Sequence, residues 1–482
     1  MGIDSMEKKL VTRNSQPGNP QLATYNPLPR NPQPAPPPYD IVIHNGIVIT
    51  MNSDFDVIEK GFVGIRNGVI RKVASQQDRV LLPETREIID ARSGIIMPGL
   101  VNTHTHAPMS LFRGLADDIP LMTWLYDYIF PAESRFINPE SVRAASLLSC
   151  AEMIMSGTTS LCDGYFYEDQ VAEAVHKMGM RGILAQGIID FPAPGVPDTR
   201  KNIKVAEKFI ADWTGVSPLI MPGLFCHSPL TCSEQTLKTA KSLSSYTKTL
   251  FQIHAAETKF EVDAIKKQHQ STPIQYLDRI GILDEHTLLV HAIYLNKTDM
   301  ACVQRRGVKI SVTTESEMKL ASGVACISGL IKRGIPVGLG TDGCASNNDL
   351  DLFQEMGMTA KLQKVKTGDP TVADARMVMA MATIQGAEAI GLGALTGSIE
   401  AGKRADIIVI DTCKPHLTPM YHPYSHLVYA VSGSDVNDVI IDGKVVMRNR
   451  GLKMIDTQEV METVHRLAAM VAASAGSQKF FS

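Results

Sequence analysis

Basic charge is in short supply. Lys and Arg total 47 against 50 Asp and Glu in a chain of 482 residues, for a net charge of −3. With no basic surplus to neutralise a phosphate backbone, general nucleic-acid binding is excluded as the main role. Long apolar runs are also missing, and none approaches the ~18 residues that a membrane span needs. The start of the chain, Met1-Gly2-Ile3-Asp4-Ser5-Met6-Glu7-Lys8-Lys9-Leu10, lacks the apolar stretch of a secretion signal. Eight cysteines, at 150, 162, 226, 232, 302, 326, 344 and 413, form no Cys-x-x-Cys pair and no dense framework. They read as reduced, mostly buried thiols. Apolar residues make up 44% and charged residues 20%, which is enough to build a large core. The expectation is a cytoplasmic, enzyme-sized protein with a small-molecule substrate, no membrane partner, and room for a homo-oligomer.

Residues 1–38 stand apart, because nine of the 27 prolines fall between Pro17 and Pro38. Such a stretch cannot bury enough apolar surface to offset the cost of ordering, so it predicts an extended tail. A ligand for a proline-reading domain is the alternative. From Asp40 the pattern turns to short β-rich runs, with Asn67-Gly68 marking a hairpin turn. Similar runs return at Ala405–Ile410 and Val439–Val446. Residues 39–98 and 399–450 together therefore predict one small β-sandwich built from both chain ends.

Between them, short apolar runs alternate with helical stretches, which argues for parallel strands joined by crossover helices. Eight strands are predicted near 99–104, 158–162, 183–188, 220–226, 250–254, 287–291, 308–312 and 336–341. The span from Gly99 to Thr341 is close to the ~250 residues of a TIM-like (β/α)8 barrel, so 99–398 is assigned to that α/β domain. One crossover helix is well marked: Asn138 caps it, Pro139 suits its first turn and Gly157 ends it. A final helix is predicted over 457–473, inside a C-terminal segment of 451–482.

In such a barrel, reactive groups sit where strands end at the C-terminal face. The first predicted strand ends in His104-Thr105-His106, and residues two apart on an extended segment point to the same side. The fifth ends at His254, the sixth at His291, and the eighth at Gly340-Thr341-Asp342-Gly343. Each is weak alone, since a lone strand-end histidine is commonly a structural hydrogen-bonder. Jointly they predict a metal site of three imidazoles and one carboxylate, suited to one divalent ion: Zn²⁺, with Fe²⁺ as its rival.

The stretch Pro98-Gly99-Leu100-Val101-Asn102-Thr103-His104-Thr105-His106, together with His254, Glu257, His291 and Gly340-Thr341-Asp342-Gly343, resembles the amidohydrolase superfamily, in its deaminase and chlorohydrolase branch. Lys319–Ala325 and Asp342–Asp351 are most similar to the 5-methylthioadenosine/S-adenosylhomocysteine deaminases. The resemblance covers about residues 40–450. It implies that His104, His106, His254 and Asp342 hold one metal, with Asp342 also taking a proton. It further implies that Glu257 and His291 serve as the acid/base and orienting groups, Glu257 meeting the substrate ring. Two-metal relatives need a lysine at the end of strand four, where this chain reads Gly223–Pro229 without one. Glu133 sits where the family holds ribose hydroxyls and His227 where it contacts substrate.

Blander readings stand beside these: a surface acid on a first helical turn for Glu257, a capping acid for Glu133, a satisfied strand-end histidine for His227. Trp124 and Phe112 fit a pocket wall or plain core. The chain also departs from its relatives. The end of strand seven reads Val312-Thr313-Thr314-Glu315-Ser316-Glu317, Gly357 stands where an arginine is expected, and the arginines that contact the nucleoside tail in some deaminases have no clear counterpart, Arg200 being a candidate. The implied activity is hydrolytic deamination of an adenine-type nucleoside. Its alternatives are a free-heterocycle deaminase, a triazine chlorohydrolase on the same site, or a non-catalytic scaffold.

Overall fold

The computed structural model describes residues 38–75 and 84–475. Apart from Pro38, the proline-rich tail expected over 1–38 lies outside the described residues, as does the stretch 476–482. Five strands come first: β1 (Tyr39–Ile49), β2 (Val57–Arg66), β3 (Val69–Ser75), β4 (Thr85–Asp90) and β5 (Ile95–Pro98). The hairpin between β2 and β3 forms as its turn residues dictate, with Asn67 at φ 53° and Gly68 at φ 73°.

The eight barrel strands follow: β6 (Leu100–Thr105), β7 (Thr158–Tyr165), β8 (Arg181–Ile188), β9 (Ile220–Cys226), β10 (Phe251–Ala255), β11 (Thr287–His291), β12 (Lys309–Val312) and β13 (Val337–Leu339). Each pairs in parallel with its neighbour in the chain, in the order β6 to β13. Most of their residues are buried, as expected for parallel strands covered on both faces. The predicted eighth strand runs shorter than its sequence suggests, ending at Leu339 rather than Thr341. Asp342 then returns to β6 as a single bridge opposite Thr105, at φ 61°. Four bonds close the seam: Asp342 N to His104 O (3.0 Å), Thr105 Oγ1 to Asp342 O (3.0 Å), Thr341 N to Asn102 Oδ1 (3.1 Å) and Asn102 Nδ2 to Thr341 Oγ1 (2.8 Å).

The remaining strands, β14 (Ile407–Ile410), β15 (Val436–Ile441), β16 (Lys444–Arg448) and β17 (Gly451–Leu452), join the first five. They form one mixed sheet in the order β17-β16-β15-β14-β5-β1-β2-β3, with β4 beside β1. Ile70 of β3 shares an apolar cluster with Ile440 of β15, so the sheet folds over itself and encloses a core of its own. The crossover helix spans Pro139–Met155, with Asn138 Oδ1 accepting from Glu140 N and Ser141 N. The last helix, Thr457–Ala475, buries Val460, Val464, Leu467 and Val471 on one side.

Candidate functional site

Strand ends at one mouth of the barrel deliver the histidines. His104 lies in β6 and His106 one residue past its end, His254 lies in β10, and His291 closes β11. The rings of His104, His106 and His254 stand nearly perpendicular to one another, at 85°, 84° and 90°. Their ligand nitrogens all lie within 4.8 Å of one another. His104 Nε2 is 3.2 Å from His254 Nε2, and Asp342 Oδ1 is 3.6 Å from His104 Nε2 and 3.4 Å from His106 Nε2. Metal–ligand bonds of about 2.1 Å in a tetrahedral site place neighbouring ligand atoms about 3.4 Å apart. The donor set therefore fits a divalent metal ion, both in chemistry and in spacing.

Burial, and then the neighbouring His106, push His104 well below the ordinary imidazole range, and burial likewise lowers His254 and His106. His106 Nδ1 faces Gly164 O at 2.6 Å, so its hydrogen sits on Nδ1 and the Nε2 lone pair is left for the metal. Burial would raise Asp342, but His106, His291, His104 and a hydrogen bond from Ser316 outweigh it and hold the carboxyl down at about 2. Its Oδ2 accepts from Ser316 Oγ and Ser346 Oγ, both at 2.7 Å, which leaves Oδ1 toward the imidazoles.

His291 behaves oppositely. Burial alone would lower it, yet Glu257, Glu317 and Asp342 raise it to about 9. Its Nε2 is 3.8 Å from Glu257 Oε2, and its Nδ1 meets Thr313 Oγ1 at 2.9 Å. Burial pushes Glu257 above the usual carboxylate range. Its side chain lines the cavity and does not lie on a helical first turn, because the helix begins only at Lys259. Glu261 accepts from the backbone N–H groups of Ala256 and Glu257, both at 2.9 Å, and so fixes the bend that carries Glu257.

These groups open onto one cavity that also receives Glu133 and His227. Glu133 Oε1 accepts from Tyr165 OH at 2.5 Å, and burial raises its carboxyl to about 7. Burial, with His106 and His291, lowers His227 to about 4, so its ring is neutral, with Nδ1 2.8 Å from Thr231 Oγ1. Trp124 lines the cavity, whereas Phe112 is buried away from it.

The candidate basic contact is corrected, and the position of the missing arginine is located. Arg200 is 88% exposed, pairs with Asp198 at 2.9 Å and does not reach the cavity, because the short helical turn it opens faces solvent. Gly357 sits in a helix where an added Cβ would lie 3.2 Å from Val428 O, also away from the cavity. The roles of Ser316, Ser346, Thr313, Tyr165 and Glu261 were not assigned from the sequence, although the first three lie in stretches it singled out. Only Glu261 carried a local signal: Thr258 followed three residues later by Glu261 is a helix-start signature, and Thr258 Oγ1 does accept from Glu261 N.

Residues 95–446 match the amidohydrolase family. The chain is 43% identical to a 5-methylthioadenosine/S-adenosylhomocysteine deaminase of Syntrophus aciditrophicus over 435 residues, covering 90% of this chain and 98% of the relative. It is 42% identical to a 5'-deoxyadenosine deaminase of Methanothermobacter thermautotrophicus, over 86% of this chain and 96% of that one. A crystal structure of an adenosine deaminase from Xanthomonas campestris, with bound zinc, superposes with a TM-score of 0.88 at 34% identity, over 91% of this chain and 100% of the other. With its closed barrel, converging imidazoles and full-length relatives, the chain belongs to the amidohydrolase family.

Proposed function

We propose that this protein is a metal-dependent hydrolytic deaminase of adenine-type nucleosides that releases ammonia. The observation that carries the reading is the convergence of His104, His106, His254 and Asp342 beside Glu257 and His291 on one cavity. His104, His106, His254 and Asp342 would hold one ion, and the zinc in the Xanthomonas campestris relative supports Zn²⁺. When bound, the ion supplies a water acidified from ~15.7 toward ~7. Asp342 Oδ1 takes the proton of the attacking water, its Oδ2 being tied to two serines. His291, raised by Glu317 and Asp342 as well as by ionised Glu257, orients the attacking oxygen and stabilises charge on it. Glu257, whose burial favours the protonated form, delivers a proton to the ring nitrogen beside the attacked carbon. Asp342 then passes its proton to the amino group, the C–N bond breaks to release ammonia, and the carbon keeps the oxygen as a carbonyl whose proton returns to Glu257. Glu133, backed by Tyr165, accepts the ribose hydroxyls, and neutral His227 meets the substrate beside it.

The test is ammonia release from adenine nucleosides by the metal-loaded protein, with metal counted by elemental analysis. Glu257→Gln should keep its metal and lose ~10²–10⁴-fold in turnover. Near-normal turnover in that variant would overturn the role given to Glu257. Release of chloride from a triazine, or of ammonia from free bases alone, would move the assignment to another activity of the same site.

A further inference from the structure

The cavity has a second half that the chemistry does not use. Glu133 and Phe130 lie on one helix, Phe130–Phe136, three residues apart and so on one face. The Phe130 ring meets Phe191 at 5.2 Å and His227 at 6.3 Å. Trp124 and Ile129, in the π-helical turn just before, continue this apolar wall, and Pro192 extends it from the connection after β8. Beside the Tyr165 phenol, the titratable groups that line the cavity are carboxyls and imidazoles. Among the described residues no lysine or arginine lines it. Arg200, in the connection that supplies Phe191, is turned to solvent and paired with Asp198.

Resting on the reading of Glu133 as the ribose partner, we propose that this wall selects nucleosides whose 5′ substituent is uncharged and apolar, such as a methylthio or a 5′-deoxy methyl group. Phe130 stands one helical turn from Glu133 and lines the same cavity as Phe191 and Trp124, so a sugar held at Glu133 has this wall within reach of its 5′ substituent. A thioether gains there by apolar burial and by sulfur–aromatic contact. A zwitterionic amino-acid tail gives up water for its carboxylate and finds no cation to pair with. The 5′-hydroxyl of adenosine lies between these cases, since it loses water without gaining a partner.

The experiment measures ammonia release by the metal-loaded full-length protein from methylthioadenosine, 5'-deoxyadenosine, adenosine and S-adenosylhomocysteine. Methylthioadenosine should exceed S-adenosylhomocysteine at least tenfold in kcat/KM, with most of the difference in KM, and adenosine should fall between them. Equal or better use of S-adenosylhomocysteine overturns the selectivity while leaving the deaminase reading intact. Ammonia from none of the four overturns both. Phe191→Ala should raise KM for methylthioadenosine more than for adenosine and so narrow their ratio at least threefold, while bound metal stays at the unaltered level. An unchanged ratio in that variant counts against the wall as the selecting element.

Discussion

Asp342 illustrates how single side chains are tuned. It is buried, which alone would favour the neutral acid, yet three imidazoles and Ser316 keep it ionised down to about 2. A reaction that needs the carboxylate is retained above that pKa and lost as pH falls through it. Ser316→Ala removes one of the two bonds to Oδ2 and weakens this hold. The acidic limb of kcat/KM against pH should therefore move to higher pH, with a loss of metal affinity on the order of 10–100-fold, the scale for partners that orient a metal ligand. An unmoved acidic limb would show that Ser346 alone suffices. Glu133 has the reverse bias, since burial raises its carboxyl to about 7. As pH falls through that value the carboxylate acceptor is lost, so KM for nucleosides should rise. Glu133→Gln should flatten this dependence between pH 6 and 8 (about one unit either side of 7, where a single group titrates).

At the scale of elements, the seam between β6 and β13 decides whether the ligands meet. Gly340 has no Cβ because one would sit 2.8 Å from both His104 N and His104 O. The backbone of a metal-site histidine and the strand end that carries Asp342 thus touch directly. Gly340→Ala should push the seam apart, reducing metal bound per chain and activity together, at a cost of about 1–3 kcal/mol from overpacking. Thermal unfolding and elemental analysis of the same sample check both parts. The helix starts behave more simply: Asn138 and Thr258 both cap where their sequence says, because a cap needs only residues two or three positions away.

Across the whole molecule, a buried ion pair ties the barrel to the folded sheet. Arg181 opens β8, and its guanidinium grips Asp406, just before β14, through Nε at 2.7 Å and Nη2 at 3.0 Å, with Asp442 at 3.3 Å. Arg181 is 2% exposed and Asp406 0%, so removing one partner strands a buried charge. Arg181→Leu should destabilise by about 3–5 kcal/mol in denaturant unfolding. A loss below about 1 kcal/mol would mean that water reaches Asp406 once the arginine is gone.

What the chain revealed unaided was what lies close together along it. The strand-end histidines, Asp342, the Asn67-Gly68 turn, the capped crossover helix and the alternation that makes a barrel are all written within a few residues each. They were legible because backbone geometry fixes such neighbours by periodicity alone. The groups that aim those ligands were not. Ser316 meets Asp342, Thr313 meets His291 and Tyr165 meets Glu133 across long stretches of chain, whereas Ser346, four residues from Asp342, is the local exception. Of these, Tyr165 and Glu133 are 32 residues apart, and only closure of the barrel places one hydroxyl on the other's carboxylate. The same holds for the apolar wall, assembled from a π-helical turn and a loop after another strand. A hydrogen bond or a ring contact is set by distance in space, and chain spacing says nothing of it until long-range packing has joined strands far apart in order.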